Sequence, residues 1–382
     1  MHILQSLSVA NVAKVFSRLS TRLKTFGGRP SAPLGSRILT NHDDIFKHNM
    51  WDHVQWTEED KEKARQKAKD NSCAQIPLNE QGKFYTEAHQ YWDKFYEMHG
   101  DKFFKDRKWL FLEFPELLPL NTKIRDKSEI LLPLESSIDL ETRNHQHSCT
   151  TPCHRHAIDC QRACQGAALE INEDETQTST FPGQPASHRI LEVGCGVGNS
   201  VFPIINSIKE TDAFLYCCDF SPRAIQMIRD HPDYDDSVCY AFVHDICEEM
   251  ASFPFPSQSL DVILAVFVLS SIHPERIQGV VKRLSTYLKH GGIFLFRDYG
   301  RYDFAQLRFK KGRCLSENFY TRGDGTCVYF FTKEEVHALF SNAGLEEIQN
   351  LEDRRLQVNR GKKVAMHRVW MQSKYRKLDL PT

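Results

Sequence analysis

The stretch Ile190-Leu191-Glu192-Val193-Gly194-Cys195-Gly196-Val197-Gly198-Asn199 decides the fold. Ile190 to Val193 has the apolar character of a buried strand. The three glycines after it let the backbone pass close to a ligand where any Cβ would collide. A helix is expected to open at Asn199 or Ser200, with its free N–H groups and positive dipole end facing a carboxylate. Phe214-Leu215-Tyr216-Cys217-Cys218 predicts the next strand and leaves Asp219 at its C-terminal end, where a carboxylate can accept hydrogen bonds from both hydroxyls of a ribose. Glycine turn and acidic strand end together suit S-adenosylmethionine. A nicotinamide dinucleotide competes, but its fingerprint wants G-x-G-x-x-G. Asn199 fills that sixth position, and the spacing here is G-x-G-x-G.

Working outward, strands and helices alternate as a parallel sheet requires. Ser221-Pro222 supplies an N-cap and a proline at the first helical position for a helix through Arg229. Val238 to Val243 and Leu260 to Val268 read as the third and fourth strands. Pro274 to Leu288 reads as a helix ended by Gly291-Gly292, and Ile293 to Phe296 as the fifth strand. Thr332 and Glu335 make a capping box for a helix that stops at Gly344. Val364 to Met371 is then expected to pair antiparallel with Leu345 to Leu351. The fold class is α/β, a seven-stranded, doubly wound, Rossmann-like sheet of the class I methyltransferase kind with a helical N-terminal extension. Asp245, just past the third strand in Phe242-Val243-His244-Asp245-Ile246, is placed to accept from an adenine amine; an ordinary turn acid is the plainer reading.

Composition divides the 382 residues into four regions. Residues 1–40 carry Lys14, Arg18, Arg22, Lys24, Arg29 and Arg37 with no acid, and Leu4, Leu7, Val12, Phe16, Leu19 and Leu23 recur at near-helical spacing. That predicts a mitochondrial targeting leader, the alternative being a basic tail on a cytoplasmic protein. Residues 41–118 are charged, helical and aromatic, dense in both rings and cations at Phe103-Phe104-Lys105-Asp106-Arg107-Lys108-Trp109, which suits single-stranded nucleic acid. Residues 119–185 turn polar and read as a disordered insertion. They hold Cys149, Cys153, Cys160 and Cys164 near several histidines, yet without the C-x2-C knuckle of a zinc site, so no metal is expected. Residues 186–376 carry the methyl-donor domain. A 41% hydrophobic content supports a sizeable core, while no run approaches the roughly 20 apolar residues of a membrane span. Cys195, Cys217, Cys218 and Cys239 read as reduced, buried thiols.

The net charge of −1 hides a local excess. Nine Lys or Arg and no acid lie between Arg354 and Lys377, with Arg354, Arg355, Arg360, Lys362 and Lys363 expected in one loop between strands. Arg297 and Arg301 add charge beside the expected donor. Phosphate binding is the natural reading of these cations, a solvated basic face the bland one.

Trp92-Asp93-Lys94-Phe95-Tyr96, Phe103-Phe104-Lys105-Asp106-Arg107, the glycine turn, Cys218-Asp219-Phe220-Ser221-Pro222, Phe296-Arg297-Asp298-Tyr299-Gly300-Arg301-Tyr302-Asp303 and Asp353-Arg354-Arg355-Leu356-Gln357-Val358-Asn359-Arg360 together resemble the tRNA N3-methylcytidine methyltransferases, with the leader most like the mitochondrial member. The resemblance covers roughly residues 40–118 and 185–376. It implies S-adenosylmethionine as donor and cytidine 32 in the anticodon loop of threonine, serine and some arginine tRNAs as target, with a seryl-tRNA synthetase as a conceivable helper. It also implies that Trp92 and Tyr96 close over the cofactor, that Gly194 and Gly196 lie beneath it, that Asp219 holds the ribose, and that Asp245, Ile246 and Val266 frame the adenine.

N3 of neutral cytosine has a free lone pair, so no catalytic base is required, only alignment and tolerance of the charge that moves onto the base. Asp298 is the candidate for that electrostatic role, with a salt bridge to Arg297 or Arg301 as its structural alternative. N3 lies on the Watson–Crick edge, so the base must be unpaired or swung out. Lys105, Arg107, Arg297, Arg301 and the Arg354–Lys363 cations would grip the RNA backbone. A protein methyltransferase of the same fold and a non-catalytic adaptor are the competing classes.

Overall fold

The computed structural model describes residues 37–100, 105–107, 109–119 and 180–378. The targeting leader therefore falls almost wholly outside the described residues. So do Phe103, Phe104, Lys108 and the Cys149–Cys164 cluster. The described parts of 37–119 and 181–378 belong to one compact unit.

Its centre is an eight-stranded mixed sheet. Strand β1 is Met50–Trp51, β2 His188–Val193, β3 Ala213–Asp219, β4 Cys239–Val243, β5 Leu260–Val266 and β6 Leu288–Tyr299. Strands β7 (Cys314–Ser316), β8 (Phe319–Thr321) and β9 (Cys327–Tyr329) form a small separate sheet, and β10 (Leu345–Asn359) and β11 (Val364–Lys377) close the chain. β2 runs parallel to both β3 and β5, β3 to β4, and β5 to β6. β11, β10 and β1 follow antiparallel on the β6 side. The central strands are buried on both faces, which is why they read as unbroken apolar runs. The chain leaves β2 towards β3 on one side and returns at β5 on the other, so a crevice opens at the carboxyl ends of β2 and β5.

Three expectations are corrected. The sheet has eight strands rather than seven, because Met50–Trp51, upstream of the methyl-donor domain, pairs with Leu356 and Gln357. Gly291-Gly292 does not end a helix: the helix Pro274–Tyr287 stops earlier, and both glycines lie within β6, whose Leu288 already pairs with Leu260. The C-terminal hairpin forms in a different register from the one expected: Val364 to Met371 pairs with Glu352 to Asn359 rather than with Leu345 to Leu351, which pairs with Gln372 to Lys377, so the hairpin runs from Leu345↔Lys377 to Asn359↔Val364. Arg354 and Arg355 are therefore strand residues, and only 360–363 form the turn.

The N-terminal region contributes the helices Glu58–Ser72 and Ala88–His99, the first opened by a Thr57/Asp60 capping box. Polar contacts dock the segment from Arg107 to Glu116 on the sheet. Arg107 N–H donates to the Asn199 carbonyl (2.9 Å), Gln372 donates to Glu113, and Lys374 Nζ lies 2.6 Å from Glu116. Leu110, Phe114 and Leu117 are fully buried in the core on that face.

Candidate active site

The glycine turn sits at the end of β2. Gly194 has φ +60, and a Cβ there would lie 2.1 Å from Val268 Cγ2, so the loop after β5 packs against the turn where a side chain would stand. Gly196, φ +54, donates its N–H to Asp219 Oδ2 at 2.9 Å, and Ser221 N–H donates to Oδ1 at 3.0 Å. Asp219 is thus oriented by two backbone donors, while each oxygen keeps a lone pair for a further donor. Burial pushes its carboxyl up to about 6, and the Ser221 and Gly196 hydrogen bonds restrain the rise.

The helix Ala88–His99 closes this turn from above. The Ser221 hydroxyl, N-cap of Pro222–Arg229, donates to Asp93, and Tyr96 brings its Oη to 3.0 Å from where a Gly196 Cβ would stand. Trp92 and Tyr96 rings lie 5.8 Å apart. Beneath the turn, burial pushes the Glu192 carboxyl up to about 7, offset in part by the Arg107 guanidinium 3.4 Å away.

Together these elements enclose a cavity of about 300 Å³. Trp92, Tyr96, Gly194, Asp219, Asp245 and Ile246 line it, so six of the eight expected cofactor residues meet there. Asp245 is exposed and accepts from Cys247 N–H at 2.8 Å. Gly196 acts one step back, through Asp219. Val266 is not in the wall: it lies in the core of β5, 2% exposed, and its neighbours Phe267 and Val268 line the cavity instead. A carboxylate at a strand end, a cradle that a Cβ would fill and a second carboxylate across the cavity fit S-adenosylmethionine.

Sequence reasoning missed other lining residues, Phe84, Tyr85, His89, Phe267, Ser271, His273 and Phe319. Phe267 holds φ +59, a left-handed conformation unusual for an aromatic, and its ring lies 5.1 Å from that of Tyr299. A non-glycine residue gives no warning of such a turn, so Leu260 to Val268 looked like uninterrupted strand. The one available signal was His273-Pro274, a helix start that bounds the loop.

Asp298 does not reach the cavity. It is fully buried, its Oδ2 accepting from Ser270 N–H (2.9 Å) and its Oδ1 from Tyr299 N–H (2.8 Å). Burial pushes it up to about 6, with the Ser270 and Tyr299 hydrogen bonds opposing. It bonds to neither Arg297 nor Arg301; its place is behind the Phe267–Ser271 loop, which it pins.

The basic residues separate into two groups. Arg107 is engaged by Glu192 and Ser200. Arg297 pairs with Asp353 at 2.6 Å and Gln372, its guanidinium between the rings of Trp109 (4.9 Å) and Trp370 (5.0 Å). Arg301 pairs with Glu335 at 2.8 Å, and Arg355 with Asp353 at 2.9 Å, facing Asp52 and Glu113. Expected as phosphate ligands, these four are instead engaged within the fold, Arg107, Arg297 and Arg301 by acids remote in sequence and Arg355 by Asp353 on its own strand. Lys105, Arg360, Lys362 and Lys363 are exposed; Arg354 is half-buried and paired with Glu352.

Among the described residues no group of three or more His, Cys, Asp or Glu is placed to hold a metal, and no helix is long and apolar enough to cross a membrane. A methyltransferase-domain family model matches residues 168–350. The chain is 50% identical over 348 residues to the tRNA N(3)-cytidine methyltransferase METTL2 of Danio rerio, covering 91% of this chain and 90% of that one. It is 48% identical to METTL2B of Homo sapiens (89% and 92% covered) and 43% identical to the tRNA N(3)-cytidine methyltransferase METTL8, mitochondrial, of Homo sapiens (71% and 96%). With glycine turn, paired strand-end carboxylates and near full-length identity in agreement, the chain belongs to the S-adenosylmethionine-dependent tRNA N(3)-cytidine methyltransferase family.

Proposed function

We propose that the protein methylates N3 of cytidine 32 in the anticodon loop of threonine- and serine-type tRNAs in the mitochondrial matrix. The observation that carries this reading is one cavity whose lining joins the expected donor residues to a set of aromatic side chains. Asp219, Asp245 and the glycine turn suit the nucleoside of the donor, and the half-buried Phe84, Tyr85 and Phe267 add aromatic lining suited to an extruded pyrimidine. Bound there, S-adenosylmethionine supplies a sulfonium methyl, which N3 takes with its own lone pair as the carbon–sulfur bond breaks. The chain's residues then have three tasks. Asp219 fixes the ribose, and Trp92 and Tyr96 shield the methyl from water. Asp298 acts as a positioning residue that holds the Phe267–Ser271 loop against the base. Lys105, Arg360, Lys362 and Lys363, with Arg354, are the cations left to contact the RNA backbone.

The test is incubation of full-length protein with labelled donor and unmodified tRNA transcripts, with and without a seryl-tRNA synthetase, followed by mass spectrometry of the nucleosides. N3-methylcytidine that vanishes when position 32 is changed to uridine is expected; no product under any condition overturns the reading. The matrix assignment rests on the leader pattern and on likeness to the relative named mitochondrial; the alternative is a cytoplasmic enzyme. A reporter fused to residues 1–40 decides, and diffuse cytoplasmic signal removes the matrix.

A further inference from the structure

A second cavity of about 370 Å³ shares no lining residue with the first. It lies between the start of the helix Glu58–Ser72, strand β11 and the helical turn Phe304–Leu307, and it is lined by Trp56, Lys67, Phe304, Leu307, Ala365 and His367, among others. Most of this wall is apolar. Within it the Trp56 and His367 rings meet edge to face at 5.2 Å, with Trp56 Nε1 and His367 Nδ1 buried and without a hydrogen-bond partner among the described residues. Both atoms are closed off from solvent, so the slot meets a ligand through ring carbons rather than through them. Burial lowers the His367 pKa, so the ring stays neutral and adds no charge to the wall.

The rim is cationic. The Arg354 guanidinium, paired with Glu352, lies 5.2 Å over the Trp56 ring, and Lys67 is exposed with no ion pair among the described residues. The exposed Lys362 and Lys363 stand in the turn that leads into Ala365. Asp60 is the one lining acid, and its carboxylate is already engaged by Thr57. A largely apolar slot lined by the Trp56 and Phe304 rings, with positive charge around its mouth, matches a nucleobase joined to phosphates.

We propose that this cavity holds one unstacked base of the RNA substrate, away from the cytidine being methylated; the inference rests on the RNA reading given above. The second contact would fix the register of the RNA while the first cavity works on the extruded base.

The test compares wild type, Trp56→Ala and Trp56→Phe in filter binding of an unmodified tRNA transcript, in donor calorimetry and in chemical probing of the bound RNA. Trp56→Ala should weaken RNA affinity by at least about fivefold, the low end for one base stacked on an aromatic ring. Donor affinity should not change, and Trp56→Phe, which keeps a ring, should recover part of the loss. One nucleotide other than the target should be protected by wild type and released in Trp56→Ala. Unchanged RNA affinity in a variant that still binds donor overturns the proposal and leaves the slot to a protein partner. If Trp56→Ala loses donor binding as well, its fold has failed, and Lys67→Glu on the exposed rim decides by the same RNA titration. Failure of wild type to methylate any transcript sinks the RNA reading itself, an outcome distinct from an indifferent Trp56.

Discussion

The glycine turn and the C-terminal hairpin carry the two densest motifs in the chain, and they behaved in opposite ways. At the turn, Gly194, Gly196 and Asp219 lie where their spacing put them, because strand, turn and cap are decided within a few residues. On the hairpin, Arg355 lies inside the molecule, satisfied by Asp353 on its own strand and facing Asp52 and Glu113, more than two hundred residues upstream. A motif whose partners are local can be interpreted from its letters. A charge whose counter-charges come from other segments cannot.

The sharpest way to break that contrast is Arg355→Glu. Reversal would place a fourth carboxylate beside Asp52, Asp353 and Glu113 in a site where the Arg355 side chain is 6% exposed. Removing one partner of a buried ion pair typically costs about 3–5 kcal/mol. Urea unfolding should show a loss of that order, with RNA binding falling only as the fold does. A folded, fully stable variant with weak RNA affinity would return Arg355 to the surface.

Asp219→Ala tests the turn. Charge-assisted hydrogen bonds to the two ribose hydroxyls are worth roughly 1.5–3 kcal/mol each, so donor affinity measured by calorimetry should fall at least about tenfold even if one is lost. The same carboxyl gives a pH signature. Its value of about 6 in the folded protein means it is ionised at pH 7.5 and takes up a proton as pH drops. Donor affinity should be flat above pH 7 and weaken as pH falls through about 6. A flat profile down to pH 5 would remove the ribose role.

Legibility followed the same division. Observed β3, β4 and β5 start or end within two residues of their expected bounds, because strands covered on both faces are nearly continuous apolar runs. The rest of the hairpin, 352–359 and 372–377, escaped notice, since Glu352, Asp353, Arg354 and Arg355 in the one and Lys374, Arg376 and Lys377 in the other break the apolar pattern. The expected donor residues of the cavity were visible in the sequence, and its further aromatic lining was not. Phe84 and Tyr85 come from a region remote in sequence from the glycine turn, and Phe267 sits in a turn with no glycine to announce it.

Asp298 sharpens the line between a residue that touches substrate and one that acts through a loop. Asp298→Asn keeps the shape but faces two backbone donors, from Ser270 and Tyr299, with one acceptor oxygen and an NH2 group. The Phe267–Ser271 loop should shift, and displacement of about 1 Å near a reacting base can cost up to roughly a hundredfold in rate. The expected result is a fall in kcat between about tenfold and a hundredfold with RNA affinity retained. A change in KM alone would mean that Asp298 serves RNA binding instead.

The smallest effect comes from the cations that the fold leaves exposed. Arg360 and Lys362 occupy the hairpin turn, unlike Arg355 a few residues earlier on the strand. Arg360→Glu with Lys362→Glu should leave the unfolding midpoint within experimental error, since exposed charges without ion pairs contribute little to stability. RNA affinity should still drop, and the slope of log K against log salt should shrink by roughly 0.7–0.9 for each phosphate that is no longer neutralised. Salt dependence is the informative measurement, because a merely misfolded variant would lose affinity at every ionic strength without changing the number of released counterions. If the slope stays fixed, the hairpin turn does not touch phosphate, and the RNA path must run instead past Lys105, the remaining exposed cation among the expected contacts within the N-terminal region.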